Sequence, residues 1–227
     1  MADDRFAEAR RRLIAEIEAE AADTEAWTGR GRFAPAVMNA LARVPRHAFV
    51  AATDQNAAYV NRPLPIGHGQ TISQPYIVAV MTDLLDIAPG DRVLEIGTGC
   101  GYQAAVLAEL ADRVFSVEVV PSLAAAARDR LAALGYRNVA IRVGDGYDGW
   151  PEEAPFDGIL VTSAPPRLPP RLVEQLKPGG RMVVPVGLPG ETQMLFRCVK
   201  TPDGEIAQEA KLPVAFVPMV PAGSASD

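Results

Sequence analysis

The stretch from residue 92 to residue 102 constrains the fold of this chain more than any other part of the sequence. It reads RVLEIGTGCGY, a short apolar run followed by Gly97, Gly99 and Gly101. Such a run, with glycines that open a helix, is typical of the first strand, turn and helix of a nucleotide-binding doubly wound sheet. Glu118 follows about 20 residues later, at the end of the next apolar run, as that arrangement requires. The sequence therefore predicts an α/β fold with a ligand at this turn.

Strand and helix patterns alternate after this stretch, which predicts a mostly parallel, Rossmann-like sheet with helices on both faces. The predicted strands are 113–117, 139–143, 156–162 and 181–186, and the predicted helices are 102–110, 121–134 and 170–176. Two further predicted strands, 194–200 and 211–217, have no helix between them. We therefore expect the sheet to end in antiparallel strands.

The first 90 residues are expected to form helices and an active-site loop that pack on the core. Apolar spacing predicts helices over 3–22, 35–44 and 76–87, while 46–69 has too many turn residues for a core helix. Residues 91–221 are the expected ligand-binding core, and 222–227 an expected flexible tail. We expect one compact domain overall.

Composition narrows the range of partners. The chain has 227 residues, a net charge of −6 and a sequence pI of about 5.1, which disfavours a nucleic-acid partner. Two cysteines and two histidines form neither a disulfide framework nor metal-ligand spacing. No apolar run approaches membrane-spanning length, and no signal peptide is visible. We expect a cytoplasmic protein, monomeric, without metal, nucleic-acid or membrane partners.

Two details of the glycine stretch disfavour a dinucleotide. Tyr102 stands where the third glycine of the dinucleotide pattern is expected, and the carboxylate of Glu95 sits beside the turn. A carboxylate repels a pyrophosphate but attracts an ammonium or sulfonium group. S-adenosylmethionine carries both cations, and its ribose hydroxyls suit Glu118, while Asp145 could accept the adenine amino group beside Gly146. The predicted donor site also includes four further residues: Thr98, Tyr102, Val119 and Gln193.

Several segments together resemble the protein-L-isoaspartate (D-aspartate) O-methyltransferase family. The resemblance spans roughly 35–221 and is carried by 44–50, 62–67, 69–75, 93–99, 144–146, 178–180 and 184–187. The glycine turn is shared by many methyltransferases, whereas the sequence GQTISQP at 69–75 is distinctive. The resemblance implies the fold of S-adenosylmethionine-dependent methyltransferases.

The resemblance also implies an activity and a set of site residues. The activity is methylation of the free α-carboxylate of L-isoaspartyl residues, and less well of D-aspartyl residues, in damaged proteins and peptides. S-adenosyl-L-homocysteine is then the second product, and the methyl ester collapses to a succinimide that allows repair. The resemblance places Ser73 at the catalytic centre and Thr71 and Ile72 in the donor pocket. It assigns the peptide to the loop that contains Pro65, Ile66, Gly67 and His68.

Other interpretations remain open at this stage. On spacing alone, Ser73 is better explained as the N-cap of the following helix. The acceptor carboxylate is already ionised at neutral pH and needs no base, so we interpret His68 as a loop or substrate-side residue. The alternative function is methylation of a dedicated small molecule or peptide by an enzyme of the same fold. A non-catalytic binding protein and a nicotinamide oxidoreductase are further alternatives.

Overall fold

The computed structural model describes residues 5–223 and has a seven-stranded central sheet. In chain order its strands are β3 (Arg92–Ile96), β4 (Arg113–Glu118), β5 (Val139–Val143), β6 (Phe156–Val161), β7 (Leu176–Val186), β8 (Gln193–Lys200) and β9 (Ile206–Val214). The strand order is β5-β4-β3-β6-β7-β8-β9. The pairs from β5 to β7 are parallel, and β7–β8 and β8–β9 are antiparallel. The predicted doubly wound α/β fold is confirmed.

Helices cover both faces of this sheet, which explains why four of the five residues of β3 are buried. The helices are α1 (Ala7–Asp23), α2 (Glu25–Thr28), α3 (Pro35–Arg43), α4 (Pro75–Leu84), α5 (Tyr102–Ala108), α6 (Pro121–Ala133) and α7 (Pro170–Glu174). Proline occupies the first helical position of α3, α4, α6 and α7, where its missing N–H is no loss. No helix within residues 5–223 is long and apolar enough to cross a membrane.

The N-terminal helices share a hydrophobic core with the sheet. Leu13 and Ile17 of α1 belong to the same buried cluster as Val93 of β3 and Leu107 of α5. The predicted first helix, 3–22, agrees with α1 from Ala7 onward, and residues 1–4 lie outside the described residues. A second core cluster covers the opposite sheet face, where α7 packs.

The stretch 46–69, predicted to be an irregular loop, contains more regular structure than expected. It has two short 3-10 helices, Arg46–Phe49 and Ala52–Ala57, and then the first strand of a hairpin. The hairpin pairs β1 (Leu64–Gly67) with β2 (Gln70–Ile72). These strands have only four and three residues, too few to show an alternating pattern in the sequence.

The chain after β9 crosses the carboxyl end of the sheet. The strand predicted at 211–217 ends at Val214, and the following segment is held by Ala164, whose N–H donates to Val217 at 2.8 Å. The Ala164 carbonyl accepts from the Met219 N–H at 2.9 Å. Residues 224–227 of the predicted tail lie outside the described residues, but the Ala222 N–H donates to Asp145.

Substitution of Gly97 tests how tightly the glycine turn is packed. Its φ is 95°, and a methyl group at this position would overlap the Thr162 hydroxyl. That hydroxyl cannot easily move, because it donates to the carbonyls of Ile96 and Gly97. We expect Gly97→Ala to lower the free energy of unfolding, measured with denaturant, by about 2 kcal/mol more than Gly135→Ala does.

Gly135 is the matched control. Its φ is 88°, so alanine is strained there as well, but no atom lies within 4 Å of the added methyl group. Equal losses in the two variants would show that the Thr162 contact is not tight.

Candidate active site

Glu118 joins the glycine turn to the end of β4. Its Oε2 accepts the Gly99 N–H at 2.7 Å, and its Oε1 accepts the Val120 N–H at 3.0 Å. The residue is only 5% exposed. Gly97 and Gly99 both have positive φ, at 95° and 52°, which lets the turn bring its backbone to this carboxylate. The turn is therefore held in one conformation by two charge-assisted hydrogen bonds.

A cavity of about 250 Å³ opens beside this turn, at the carboxyl ends of the strands. Of the predicted donor residues, six line it: Thr71, Gly97, Gly99, Glu118, Val119 and Gly146. Its walls combine apolar side chains with polar ones, among them Thr71, Glu118 and Thr162, as a site for a polar small molecule requires. The cavity lies where doubly wound sheets bind their ligands. We refer to it as the donor cavity.

A second cavity, of about 610 Å³, contains Ser73 and Gln74 in its wall. Thr71 and Thr162 line both cavities, so the two share a wall. A small pocket of about 40 Å³ also brings Ser73 together with Gly97 and Thr98. The segment 71–73 therefore lies between the donor cavity and this second cavity, which we call the acceptor cavity.

The hydroxyl of Ser73 is not a helix cap. The N-cap of α4 is Gln74, whose side chain makes no capping bond, and Asn61 Oδ1 accepts the Tyr76 N–H at 3.0 Å instead. Within residues 5–223 the Ser73 hydroxyl has no hydrogen-bond partner, while its carbonyl accepts from Arg46 at 2.8 Å. The N-cap interpretation is therefore wrong, and the hydroxyl is free to bind a ligand.

The structure corrects the position of Glu95. We expected its carboxylate beside the donor, but the residue is 0% exposed and lines none of the described cavities. Ser116 donates to its Oε2, and its Oε1 has no partner among the described residues. Burial raises the pKa of Glu95 to about 8. The unfolded chain loses this proton near pH 4.5, whereas the folded protein keeps it up to about pH 8. Glu95 therefore lowers the free energy of unfolding as the pH rises between these two values.

Gln193 is also misassigned as a donor residue. It is 3% exposed, its Nε2 donates to the Phe216 carbonyl at 2.9 Å, and its Oε1 accepts the Phe216 N–H at 2.6 Å. The side chain therefore fixes the chain after β9 instead of contacting the donor cavity.

Asp145 accepts from Tyr147 and Ala222, one on each oxygen, and its neighbour Gly146 lines the cavity. Each oxygen keeps a second lone pair, so the proposed adenine contact stays a prediction.

The hairpin residues assigned to the peptide lie mainly over the donor cavity. Ile66 and His68 line that cavity, whereas Pro65 and Gly67 are exposed and line neither cavity. His68 has a φ of 51° at the hairpin tip, and its Nε2 lies 3.1 Å from Ser122 Oγ. Ile66 and His68 therefore lie at the donor cavity, and their assignment to the substrate stays a prediction.

Four other predicted donor residues pack around the turn instead of lining the donor cavity. A methyl group on Gly101 would lie 3.3 Å from Leu131, so this glycine allows α5 and α6 to pack closely. Tyr102 is 2% exposed, and the Arg46 guanidinium lies 4.8 Å from its ring centre. Ile72 and Thr98 line only the small pocket beside Ser73.

Residues that sequence reasoning missed complete the donor cavity. Val217, Pro218, Met219 and Val220 line it from the segment after β9, and Thr162 lines it from the end of β6. Thr162 had a readable signal, because it is the polar residue that ends an apolar strand, as Glu118 does. The segment after β9 had none, because its path depends on contacts with Ala164 and Gln193.

Comparison with known proteins gives one consistent result. The family model described as protein-L-isoaspartate(D-aspartate) O-methyltransferase matches residues 28–224. The chain is 55% identical over 218 residues to protein-L-isoaspartate O-methyltransferase 2 of Syntrophobacter fumaroxidans. That alignment covers 96% of this chain and 88% of the relative.

Solved structures show the same fold. A protein-L-isoaspartate O-methyltransferase aligns with a TM-score of 0.80 at 29% identity, over 92% of this chain and 65% of the other. A beta-aspartate methyltransferase from Plasmodium falciparum, in complex with S-adenosyl-L-homocysteine, aligns with a TM-score of 0.76 at 23% identity. This second alignment covers 93% of this chain and 98% of the other.

Substitution of Glu118 tests whether the donor cavity binds the donor. Glu118→Ala removes the acceptor of two backbone bonds at the cavity edge and should weaken S-adenosyl-L-homocysteine binding, measured by calorimetry, at least about tenfold. Asp112→Ala, at the exposed opposite end of β4, is the control and should leave the affinity unchanged. Unchanged affinity in Glu118→Ala would contradict the placement of the donor.

Proposed function

The chain belongs to the protein-L-isoaspartate(D-aspartate) O-methyltransferase family, and we propose on that basis that it repairs damaged proteins. It transfers a methyl group from S-adenosylmethionine to the free α-carboxylate of L-isoaspartyl residues and, less readily, of D-aspartyl residues. The observation that carries this proposal is the hydroxyl of Ser73, which has no hydrogen-bond partner among the described residues and lies beside the wall shared by the donor and acceptor cavities.

The donor cavity fits S-adenosylmethionine through the chemistry of its lining. Glu118 offers carboxylate oxygens for the ribose, and the Gly99 and Gly146 backbones allow close approach. Ile66, Val119 and Met219 supply apolar contacts for the adenosine. When bound, S-adenosylmethionine supplies a methyl group on a positively charged sulfur. The chain's own residues then have to hold, orient and desolvate the two reactants.

Ser73 is the proposed catalytic residue. The acceptor carboxylate is ionised at neutral pH, so no side chain has to remove a proton from it. A neutral hydroxyl can donate to one carboxylate oxygen and leave the other free to attack. A lysine or arginine in the same place would hold the acceptor but reduce its nucleophilicity. Consistently, the described residues that line the acceptor cavity include no lysine or arginine.

The wider assignments are proposals of the same kind. We propose that the substrate is a protein or peptide that contains isoaspartyl or D-aspartyl residues, and that its backbone lies in the acceptor cavity. We propose a monomer that works in the cytoplasm without nucleic acid or membrane. Residues 1–90 would form the N-terminal helices and the active-site loop that pack on the core, and residues 91–221 the S-adenosylmethionine-binding core, within one compact domain.

A pair of peptides tests the function. One peptide carries an isoaspartyl residue, and its twin carries the normal aspartyl residue at the same position. We expect methyl transfer from labelled S-adenosylmethionine to the isoaspartyl peptide and none to its twin, because only the isoaspartyl linkage leaves an α-carboxylate free. Equal labelling of both peptides would contradict the proposal and favour a different acceptor.

Ser73→Ala tests the catalytic assignment. Loss of one hydrogen-bond donor to the acceptor should lower kcat about 10- to 100-fold, while the affinity for S-adenosyl-L-homocysteine changes less than about twofold. Ser73→Thr keeps a hydroxyl and serves as the matched variant, with a smaller expected loss of kcat. A similar loss of kcat and of donor affinity in Ser73→Ala would show that the hydroxyl only shapes the pocket.

A further inference from the structure

Arg46 lies directly behind Ser73. It begins the 3-10 helix Arg46–Phe49 and is 1% exposed. Its Nη2 donates to the Ser73 carbonyl at 2.8 Å, and its Nε donates to the Ala58 carbonyl at 2.9 Å. Its guanidinium lies 4.8 Å from the ring centre of Tyr102, the first residue of α5. Arg46 thus links the segment that carries Ser73 to the helix that follows the glycine turn.

The charge of Arg46 is not neutralised by a carboxylate among the described residues. Its Nε and Nη2 donate to backbone carbonyls, and the Tyr102 side chain is a further polar neighbour of the guanidinium. Among the described residues its buried Nη1 has no hydrogen-bond partner. Burial lowers the pKa of Arg46, although an arginine remains protonated in a protein. A buried unpaired cation normally costs stability, so packing alone does not explain an arginine here.

In the part of the chain that the structure describes, no cationic side chain lines the acceptor cavity. Of the described residues that line it, the ionisable one is Glu191, which would repel an anionic acceptor. The acceptor carboxylate carries a negative charge and must leave water to react. The positive charge of Arg46, which contacts the Ser73 carbonyl and does not line the cavity, would offset both the repulsion by Glu191 and the loss of water. It would do so without touching the acceptor oxygens.

We propose that Arg46 is a positioning residue for methyl transfer, which fixes the Ser73 segment through its carbonyl and makes the acceptor cavity selective for an anion. This inference rests on the proposed function. The two roles are separable. Fixing the Ser73 segment needs the forked guanidinium, whereas selectivity for an anion needs only the positive charge. Because the guanidinium contacts the Ser73 carbonyl and not the acceptor itself, it attracts the acceptor carboxylate without binding both of its oxygens.

The test uses two peptides that differ in one charge. The first contains an isoaspartyl residue with a free α-carboxylate, and in the second that carboxylate is an amide. Binding of each peptide to the full chain, saturated with S-adenosyl-L-homocysteine, is measured by calorimetry. The ratio of the two affinities reports the selectivity for an anion, and kcat for the first peptide reports the positioning of Ser73.

Two variants separate the roles. Arg46→Met removes the charge and should reduce the carboxylate-to-amide affinity ratio about fivefold, the effect of one charge several ångströms away at an intermediate dielectric. Arg46→Lys keeps the charge but not the fork, so we expect the wild-type affinity ratio with a kcat lowered about tenfold. Both variants should bind S-adenosyl-L-homocysteine within about twofold of the wild type, because Arg46 does not line the donor cavity.

Arg197→Met is the matched control. Arg197 also donates to a backbone carbonyl, that of Leu84 at 2.9 Å, and it pairs with Asp86 at 2.7 Å. These contacts lie at the far end of α4, about 14 Å from its start by the helical rise. This variant should keep both the affinity ratio and kcat. A similar change in Arg197→Met would assign the effect to general loss of positive charge and overturn the proposal.

The remaining outcomes distinguish failure of the proposal for Arg46 from failure of the proposed function. A wild-type affinity ratio in Arg46→Met, or equal wild-type affinities for the two peptides, would overturn the electrostatic role. A wild-type kcat in Arg46→Lys would overturn the positioning role, and this variant decides the question if Arg46→Met fails to fold. Failure of the wild type to methylate the isoaspartyl peptide, with donor binding intact, would contradict the proposed function itself.

Discussion

The site depends on the two backbone hydrogen bonds that Glu118 accepts. They connect the turn after β3 to the start of α6, and therefore fix the relative positions of the two neighbouring strand ends that form the donor cavity. A carboxylate that is almost fully buried is stable only when its oxygens are satisfied, and here backbone amides do so. The glycines are needed because the turn has to bring its amides to that carboxylate. The donor cavity follows from this constraint.

The N-terminal helix contributes to the acceptor side through polar contacts near the start of α4. Asn61 Nδ2 donates to Glu20 of α1 at 2.7 Å, while its Oδ1 accepts the Tyr76 N–H. The Tyr76 hydroxyl is hydrogen-bonded to Thr24, at the end of α1. The helix that begins just after Ser73 is thus held by α1 as well as by the sheet. Removal of α1 would expose core and also remove these two contacts beside the segment that carries Ser73.

Local patterns in the sequence were enough to predict the parallel sheet and the position of Glu118, because each strand is a short apolar run that ends in a polar residue or glycine. Features that depend on distant contacts were not predictable. Glu95 follows the strand pattern, but its burial results from packing and its bond to Ser116. Gln193 was misassigned because its partner, Phe216, lies 23 positions away. The hairpin was missed because its strands, of four and three residues, are too short to show the alternation that identifies a strand.

The hairpin β1–β2 forms one wall of the donor cavity, with Ile66 above Gly99 and His68 beside Ser122 on α6. The opposite wall is the segment after β9, which Gln193 and Ala164 hold by four backbone-directed bonds. The hairpin tip, by contrast, is joined to α6 by the exposed contact between His68 and Ser122. The two walls of the donor cavity are therefore anchored differently, one by backbone-directed hydrogen bonds and the other, at its tip, by a contact between two side chains.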